Sequence, residues 1–300
     1  MTAVLGLDVG GTHSRARLVR QGEVVAEATA ASASLTTAGR ERATEAMYGL
    51  FDQLGLGPGP GLDAVCIGTA GSGAPAAAAF LVGLLSPLTA GGRVVVVNDA
   101  RLVLAAADVA DGIACVAGTG SIAVGLVGGR EERAGGWGYL LGDEGSGYWV
   151  VREAVRELAG RHDSGVRLGA LGEAVLKAAR CPDVTSLVQR WHDRPSAGAW
   201  AAMAPLVLDC GEAFGVAVAE RAAVALAALV CQVHSRLESP SGLPVVLSGG
   251  LLTGHRAIAA KARRRIELSL PDAQVILARE PPVVGAVKIA LAAAARGDRA

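Results

Sequence analysis

The stretch LGLDVGGTHSRARLV, residues 5–19, decides the fold because it predicts two short strands joined by a tight turn. An apolar run leads into Asp8, two glycines and a threonine follow, and arginines then alternate with apolar residues as in a half-buried strand. The pattern therefore predicts a β-hairpin. It excludes the dinucleotide-binding fingerprint, which needs a helix directly after its glycines.

The turn of this hairpin carries groups that suit a phosphate. The backbone amides of Gly10 and Gly11 and the hydroxyl of Thr12 can donate hydrogen bonds to phosphate oxygens. Asp8, at the end of the first strand, can hold a hydrated magnesium ion. An ordinary hairpin turn explains the same residues, so the choice between the two interpretations depends on the rest of the chain.

Composition limits the class of protein. Hydrophobic residues make up 51% of the 300 residues and charged residues 19%, which permits a large core in one large or two medium domains. Basic and acidic residues number 28 each, so no net charge favours a nucleic acid or an anionic membrane. We therefore expect neither of them as a partner.

The five cysteines and the uncharged segments bear on the cellular compartment of the protein. The cysteines are widely spaced and form no C-x-x-C pair, so neither a disulfide framework nor a zinc or iron–sulfur site is encoded. The N-terminus lacks the pattern of a signal peptide. The most apolar stretch between residues 64 and 92, AAAAFLVGLL, has 10 residues and is too short to cross a bilayer. We expect a soluble cytoplasmic protein.

Strands and helices alternate after the hairpin. GEVVAEATA at residues 22–30 predicts a third strand, and LDAVCIGTAG at 62–71 and RVVVVND at 93–99 predict buried strands, each followed by a helix. These elements describe a mixed sheet covered by helices. From Gly112 a strand, a glycine turn and two more strands repeat the opening, and residues 153–237 are mainly helical. The fold class is therefore α/β, with two lobes.

Four apolar strands are followed by polar, glycine-bearing turns. The turns lie at residues 8–12, 98–99, 117–121 and 248–250. Ligands of open α/β sheets bind outside the carboxyl ends of the strands, so we expect these turns to converge on one cleft.

Four motifs, DVGGTH, NDA, AGTGS and LSGG, resemble in this order the phosphate, connecting and adenosine motifs of the sugar kinase, heat-shock chaperone and actin superfamily. The segment GGWGYLLGDEGSGYW, residues 135–149, is similar to one found in N-acetylglucosamine kinases and the related benzoyl-CoA reductase-type ATPases. The resemblance covers almost the whole chain. It implies two actin-like (ribonuclease H-like) lobes with mixed β-sheets and an interlobe cleft, an ATP-dependent amino-sugar kinase using ATP and Mg²⁺, and a homodimer.

The resemblance also predicts the domain boundaries. Residues 1–107 would form the N-terminal lobe, closed by a C-terminal helix over 285–300, and residues 108–284 would form the C-terminal lobe.

Asp99 is the best candidate for the catalytic base. Transfer of a γ-phosphoryl group to an alcohol needs a clamped triphosphate, a divalent cation and a carboxylate that takes the hydroxyl proton. Asp99 follows an apolar strand and begins a helix, whose exposed amides stabilise an anion. Helix capping by Asn98 or Asp99 explains the same pattern and is compatible with catalysis.

The nucleotide and the acceptor sugar would be held by glycine-rich segments. The amides and hydroxyls available to the β and γ phosphates are those of Gly118, Thr119, Gly120 and Ser121, although a plain hairpin turn competes with this interpretation. Gly249 and Gly250 would let the nucleoside approach the backbone, and a tight strand–helix turn is the alternative. By the resemblance, the acceptor-binding set comprises Asn98, Asp99, Thr119, Gly136, Gly138 and Asp143. Helix capping competes at Asp143, and Trp137 is either a sugar platform or a core residue.

The segment QRWHDRPSAGAW, residues 189–200, bears on the choice of acceptor. An exposed loop between two helices explains it. Alternatively, Asp193 approaches the 2-position of the sugar, where a carboxylate favours the ammonium group of glucosamine over an acetamide. On this ground we expect glucosamine, phosphorylated at its 6-hydroxyl, with N-acetylglucosamine as the alternative.

Other proteins of the same superfamily fit the sequence less well. Repressors with this fold carry a DNA-binding segment and a cysteine-rich zinc motif, and the sequence contains neither. ATPases that pass electrons need cysteines to hold an iron–sulfur cluster, and no cysteine stands near a matching motif. A nucleotide-binding protein without catalytic activity stays open.

Overall fold

A computed structural model describes residues 2–57, 61–69, 74–193, 197–238 and 240–297. The chain divides into two units. Unit 1 contains the described residues up to Ala110 and from Ala278 onward, and unit 2 contains Asp111–Leu277. The sequence placed these boundaries after residue 107 and before residue 285.

The hairpin predicted at the start of the chain forms the centre of the sheet of unit 1. The five strands are β1 (Ala3–Val9), β2 (His13–Arg20), β3 (Glu23–Ala31), β4 (Leu62–Thr69) and β5 (Thr89–Val97), in the order β3-β2-β1-β4-β5. β1 pairs antiparallel with β2, with Val9 opposite Ser14, and parallel with β4. The last two residues of the strand predicted over 62–71 lie outside the described residues.

Four helices accompany these strands before the chain leaves unit 1. They are α1 (Leu35–Ala38), α2 (Arg40–Gln53), α3 (Pro75–Leu85) and α4 (Asp99–Ala106). One face of the sheet buries Met47, Leu50 and Phe51 of α2 together with Leu81 and Leu85 of α3. This burial of apolar residues at helical spacing stabilises α2 and α3, and α3 is the helix that the sequence predicts after LDAVCIGTAG.

Unit 2 repeats the same sheet topology. Its strands are β6 (Gly112–Ala117), β7 (Ser121–Val127), β8 (Arg130–Gly135), β9 (Pro244–Ser248) and β10 (Gln274–Leu277), in the order β10-β9-β6-β7-β8. As in unit 1, three antiparallel strands in sequence are followed by two parallel ones. The repeat predicted from Gly112 is therefore confirmed.

The helices of unit 2 fill the chain between β8 and β10. They are α5 (Gly147–Asp163), α6 (Gly169–Ala179), α7 (Val184–Asp193), α8 (Ala197–Ala201), α9 (Ala204–Leu208), α10 (Ala213–Arg236), α11 (Gly250–Gly254) and α12 (Arg256–Ser269). Among the helices that the structure describes, only α10 is long and apolar enough to span a membrane. Its face with Ala222, Leu226 and Val230 is fully buried in the core of unit 2, as in the central helix of a globular domain.

The last helix, α13 (Pro282–Gly297), returns the chain to unit 1. It covers the second face of the sheet together with α4, and Ala286, Ala290 and Ala293 are buried there. At Gly285 a Cβ atom would lie 1.9 Å from the carbonyl oxygen of Leu102. Only glycine therefore permits this close crossing of α13 and α4.

Candidate functional site

In unit 1 the sheet brings Asp8 and Asp99 into each other's electrostatic field. Asp8 lies near the end of β1, and Asp99 begins α4 directly after β5. β1 and β5 are both parallel to β4, which lies between them, so their carboxyl ends meet at one edge of the sheet. Burial, assisted by the negative charge of Asp99 and opposed by Arg15, raises the pKa of Asp8 from 3.8 to about 6.

This pair of carboxylates fits a divalent cation. A cation would neutralise the repulsion by Asp99, which adds to burial in raising the pKa of Asp8. Across the part of the chain that the structure describes, no three His, Cys, Asp or Glu side chains form a metal-binding group. Mg²⁺ does not need one, because it is held by one or two carboxylates, substrate phosphates and water. Asp8 therefore suits the predicted metal role.

Asn98 is the N-cap of α4. Its side-chain oxygen accepts a hydrogen bond from the amide of Ala100 at 2.9 Å, and its backbone is extended (φ −64°, ψ 141°). The Oδ1 atom of Asp99 accepts from the same amide at 3.0 Å. The capping that the sequence left open between these two residues is therefore done mainly by Asn98. Asp99 occupies the first turn, at the positive end of the helix dipole.

The turn of the first hairpin offers fewer donors than the sequence predicts. The amide of Gly10 donates to the carbonyl of His13 at 3.0 Å, and the carbonyl of Gly10 accepts from the Ser32 hydroxyl at 2.9 Å. The backbone of Gly10 is thus engaged within the protein, and its role as a phosphate donor stays a prediction. Gly11 and Thr12 form the exposed tip of the turn.

In unit 2 the turns after β6 and β9 meet, because these strands are parallel neighbours. Gly249 has a φ of +93°, and a Cβ atom there would lie 2.4 Å from the carbonyl oxygen of Ala117. The Cβ position of Gly118 lies 3.6 Å from the amide nitrogen of Gly250. The predicted convergence therefore holds for these two turns within unit 2.

Two residues of the turn at 117–121 use their donors inside the protein. The amide of Gly118 donates to the carbonyl of Gly120 at 2.9 Å. Ser121, which is 3% exposed, donates its amide to Oδ1 of Asp143 at 3.2 Å and its hydroxyl to the carbonyl of Glu144 at 2.7 Å. These donors of Gly118 and Ser121 are therefore engaged within the protein, and the phosphate-donor role of the two residues stays a prediction.

Asp143 is a buried carboxylate in a strained backbone position. It is 8% exposed, and its φ of +60° lies in the left-handed region, which is uncommon for residues other than glycine. Burial raises its pKa, the amide of Ser121 opposes this, and the charge of Glu144 adds to it. Helix capping does not explain Asp143, because Ser146 caps α5 by accepting from the amide of Trp149 at 3.2 Å. Strain and a perturbed pKa together indicate a functional residue.

Two glycines that precede Asp143 in the sequence flank an exposed tryptophan. Trp137, between Gly136 and Gly138, is 64% exposed, so the interpretation as a core residue is wrong. The guanidinium of Arg133 lies 4.8 Å from the centroid of its ring. No pattern in the sequence singles out Arg133, because its strand, REERAG, carries no motif.

The segment at 189–193 is helical rather than a loop. Trp191 lies on α7, and its ring stacks between those of Tyr148, at 5.1 Å, and Trp200, at 4.4 Å. Asp193 is the last residue of α7 and is exposed. Residues 194–196 lie outside the described residues.

The sequence matches one protein family along nearly its whole length. A profile of the BadF/BadG/BcrA/BcrD ATPase family matches residues 5–293. An N-acetylmuramic acid/N-acetylglucosamine kinase from Clostridium acetobutylicum is 33% identical over 163 residues, which are 52% of this chain and 53% of that protein. The chain spans about half the length of the curated relatives it matches.

Solved structures share the fold. A protein from Chromobacterium violaceum, described as a candidate N-acetylglucosamine kinase, superposes with a TM-score of 0.74 at 25% identity, covering 96% of this chain and 98% of that one. A ROK family glucokinase from Streptomyces griseus, solved with glucose and AMPPNP, gives a TM-score of 0.63 at 17% identity, covering 97% and 99%. The second likeness shows the fold alone.

Proposed function

The chain belongs to the BadF/BadG/BcrA/BcrD ATPase family, and from this premise we propose that it is an ATP-dependent kinase that phosphorylates the 6-hydroxyl of an amino sugar. The observation that carries the proposal is the pair Asp8 and Asp99, placed at one edge of the sheet of unit 1 and electrostatically coupled. Phosphoryl transfer needs two such carboxylates with different tasks, one for the cation and one for the acceptor proton.

Asp99 is the proposed general base. Its partly buried carboxylate at the start of α4 would accept the proton of the 6-hydroxyl as that oxygen attacks the γ-phosphate. Asp8 would hold Mg²⁺, which neutralises charge on the triphosphate when bound. Of the predicted phosphate donors, the exposed Gly11 and Thr12 suit this role in unit 1.

Asp143 is the proposed anchor of the acceptor sugar. In the described part of the chain its Oδ1 accepts from Ser121, and no group donates a hydrogen bond to its Oδ2. That oxygen can accept from a sugar hydroxyl. Asn98, Thr119, Gly136 and Gly138 complete the acceptor set, and Thr119, Gly249 and Gly250 face the nucleotide in this proposal.

Among amino sugars, N-acetylglucosamine is the first candidate acceptor. It is named for the relative from Clostridium acetobutylicum and for the Chromobacterium violaceum protein. Glucosamine is the second candidate, because the carboxylate of Asp193 would favour its ammonium group. An exposed carboxylate contributes little to binding, however, so the structure weakens the reason that led from the sequence to glucosamine.

A screen of acceptors tests the proposal. ADP release is followed by a coupled assay with Mg²⁺, ATP and one sugar at a time: N-acetylglucosamine, glucosamine, N-acetylmuramic acid, mannosamine or glucose. The sugar phosphate is identified by mass spectrometry and its position by NMR. Sugar-dependent ADP release with a 6-phosphate product is expected. ATP hydrolysis that no sugar stimulates would instead indicate an ATPase of the same family.

A homodimer and a cytoplasmic location also belong to the proposal, since the resemblance in sequence implies the first and the unpaired spacing of the cysteines predicts the second. Sedimentation analysis of the purified chain measures the first, and fractionation of cells measures the second.

A further inference from the structure

Two segments of unit 2 that are separate in sequence are linked by hydrogen bonds. The first is the turn at residues 117–121 and the second is the segment at residues 143–148. Besides the two bonds donated by Ser121, the amide of Gly147 donates to the carbonyl of Gly118 at 2.8 Å, and the amide of Tyr148 donates to the carbonyl of Thr119 at 3.4 Å. Four hydrogen bonds therefore join the two segments.

The carboxylate of Asp143 lies against the backbone of Gly120. A Cβ atom at residue 120 would lie 2.6 Å from Oδ2, 2.9 Å from Cγ and 3.1 Å from Oδ1 of Asp143. Gly120 is not in the left-handed region, so its glycine is not required by its own backbone conformation. What requires glycine there is the space taken by the carboxylate.

Ser121 fixes the orientation of the same carboxylate. Its amide binds Oδ1 of Asp143, and its hydroxyl binds the carbonyl of Glu144, the next residue. The first bond holds the side chain of Asp143, whose backbone is left-handed, and the second bond holds the carbonyl group of the residue that follows it. A strained backbone conformation persists only where the surrounding structure holds it in place. At Asp143 the turn at residues 117–121 supplies these contacts.

We propose that Gly120 and Ser121 are positioning residues that set the place of Asp143 and so determine recognition of the acceptor sugar. The proposal rests on the proposed function, in which Asp143 binds that sugar. The sequence assigns the whole turn at residues 117–121 to phosphate binding. In this proposal Gly120 and Ser121 instead support binding of the acceptor sugar. A hydroxyl-binding oxygen displaced by about 1 Å can cost about a hundredfold in catalysis, so the absence of one methyl group at residue 120 is a determinant of specificity.

A double-mutant cycle tests the proposal. The proteins are wild type, Gly120→Ala, Asp143→Ala and the double variant, with Gly160→Ala on α5, where a Cβ atom meets open space, as the matched control. Three quantities are measured for each: the melting temperature, the KM for the sugar, and the dissociation constant of a non-hydrolysable ATP analogue without sugar.

In the wild-type background Gly120→Ala is expected to lower the melting temperature and raise the sugar KM at least about tenfold, with nucleotide affinity changed less than about twofold. In the Asp143→Ala background the same substitution should change neither the melting temperature nor the sugar KM, because the group it would displace is gone. Ser121→Ala should also raise the sugar KM while preserving nucleotide affinity.

Equal losses of melting temperature in both backgrounds would overturn the proposal, as would a loss confined to nucleotide affinity. The melting-temperature cycle needs no activity. If the wild type phosphorylates no sugar, the proposed function fails, yet the cycle still reports whether residue 120 acts through Asp143.

Discussion

The negative charge of Asp99 adds to burial in raising the pKa of Asp8 to about 6. The two carboxylates come from different strand ends of unit 1. Repulsion between two neighbouring negative charges lowers the stability of the folded protein unless a bound cation neutralises them.

The substitution Asp99→Asn removes the proposed base while it keeps the size of the side chain. Turnover should fall by about a hundredfold or more, the scale expected for loss of a general base, with nucleotide binding preserved. Asp8 would lose a negative neighbour, so its pKa should fall as well. Steady-state kinetics and calorimetric titration with an ATP analogue measure the first two effects. A variant that retains more than about a tenth of the wild-type turnover would exclude Asp99 as the base.

The raised pKa of Asp8 predicts a dependence of stability on pH. Because the pKa in the folded state, about 6, exceeds the value of 3.8 in the unfolded state, the native protein binds more protons between these two values. The contribution of Asp8 to stability is therefore fully present below about pH 4 and is lost as pH rises through about 6. The effect is at most about 3 kcal/mol.

Asp8→Asn isolates this contribution. In buffer without divalent metal the variant should be more stable than wild type at pH 7.5, and the difference should shrink toward pH 4. Added Mg²⁺ should raise the melting temperature of wild type above pH 6 and leave that of the variant unchanged. Urea unfolding at both pH values measures the first effect. A variant less stable than wild type at pH 7.5 contradicts the prediction.

Gly285 and Gly83 form a matched pair of helix glycines in unit 1. At Gly285 a Cβ atom would lie 1.9 Å from the carbonyl oxygen of Leu102, whereas at Gly83 it meets open space. Gly285→Ala should therefore destabilise the protein by about 3 kcal/mol. Gly83→Ala should stabilise it by up to about 1 kcal/mol, since alanine has the higher helix propensity. Equal melting temperatures for the two variants would show that α13 and α4 separate at little cost.

The sequence predicts the elements of the fold where a strong local pattern exists. The hairpin of β1 and β2 follows from alternation, and α3 from a proline at its first position and an apolar run. The sequence analysis missed α12 and β10. α12 is rich in charge and buries Ile258, Ala259, Ala262 and Ile266, and β10 has four residues. Such weak patterns become elements only through packing against their neighbours.

The sequence predicts which residues belong to the candidate site, but it does not predict the contacts that these residues make with one another. The glycine turn at 117–121 and Asp143 were both assigned to ligands from motifs. That Ser121 donates to Asp143 and that Gly120 makes room for its carboxylate depends on how two segments 22 residues apart meet in space. A motif records which groups are present. Hydrogen-bond satisfaction, which decides whether a donor remains for a ligand, is a property of tertiary structure.

Asp193 allows a direct test of the choice between glucosamine and its N-acetyl form. An exposed carboxylate interacts with an ammonium group by about 1 kcal/mol or less, so Asp193→Ala should raise the KM for glucosamine by no more than about fivefold. The KM for glucose and for N-acetylglucosamine should not change. Glu173→Ala, which removes an exposed carboxylate on α6, serves as the control.

The salt dependence of the Asp193 effect separates direct contact from a distant charge. An interaction across solvent weakens as ionic strength rises from 0.01 to about 0.15 M, because the screening length falls from about 30 to about 8 Å. If the effect of Asp193→Ala on the KM for glucosamine persists at the higher ionic strength, Asp193 contacts the sugar in the bound state. If Asp193→Ala changes the KM of all three sugars equally, the charge of Asp193 plays no part in recognising the amino group. The reason for expecting glucosamine is then removed, and N-acetylglucosamine remains the candidate acceptor.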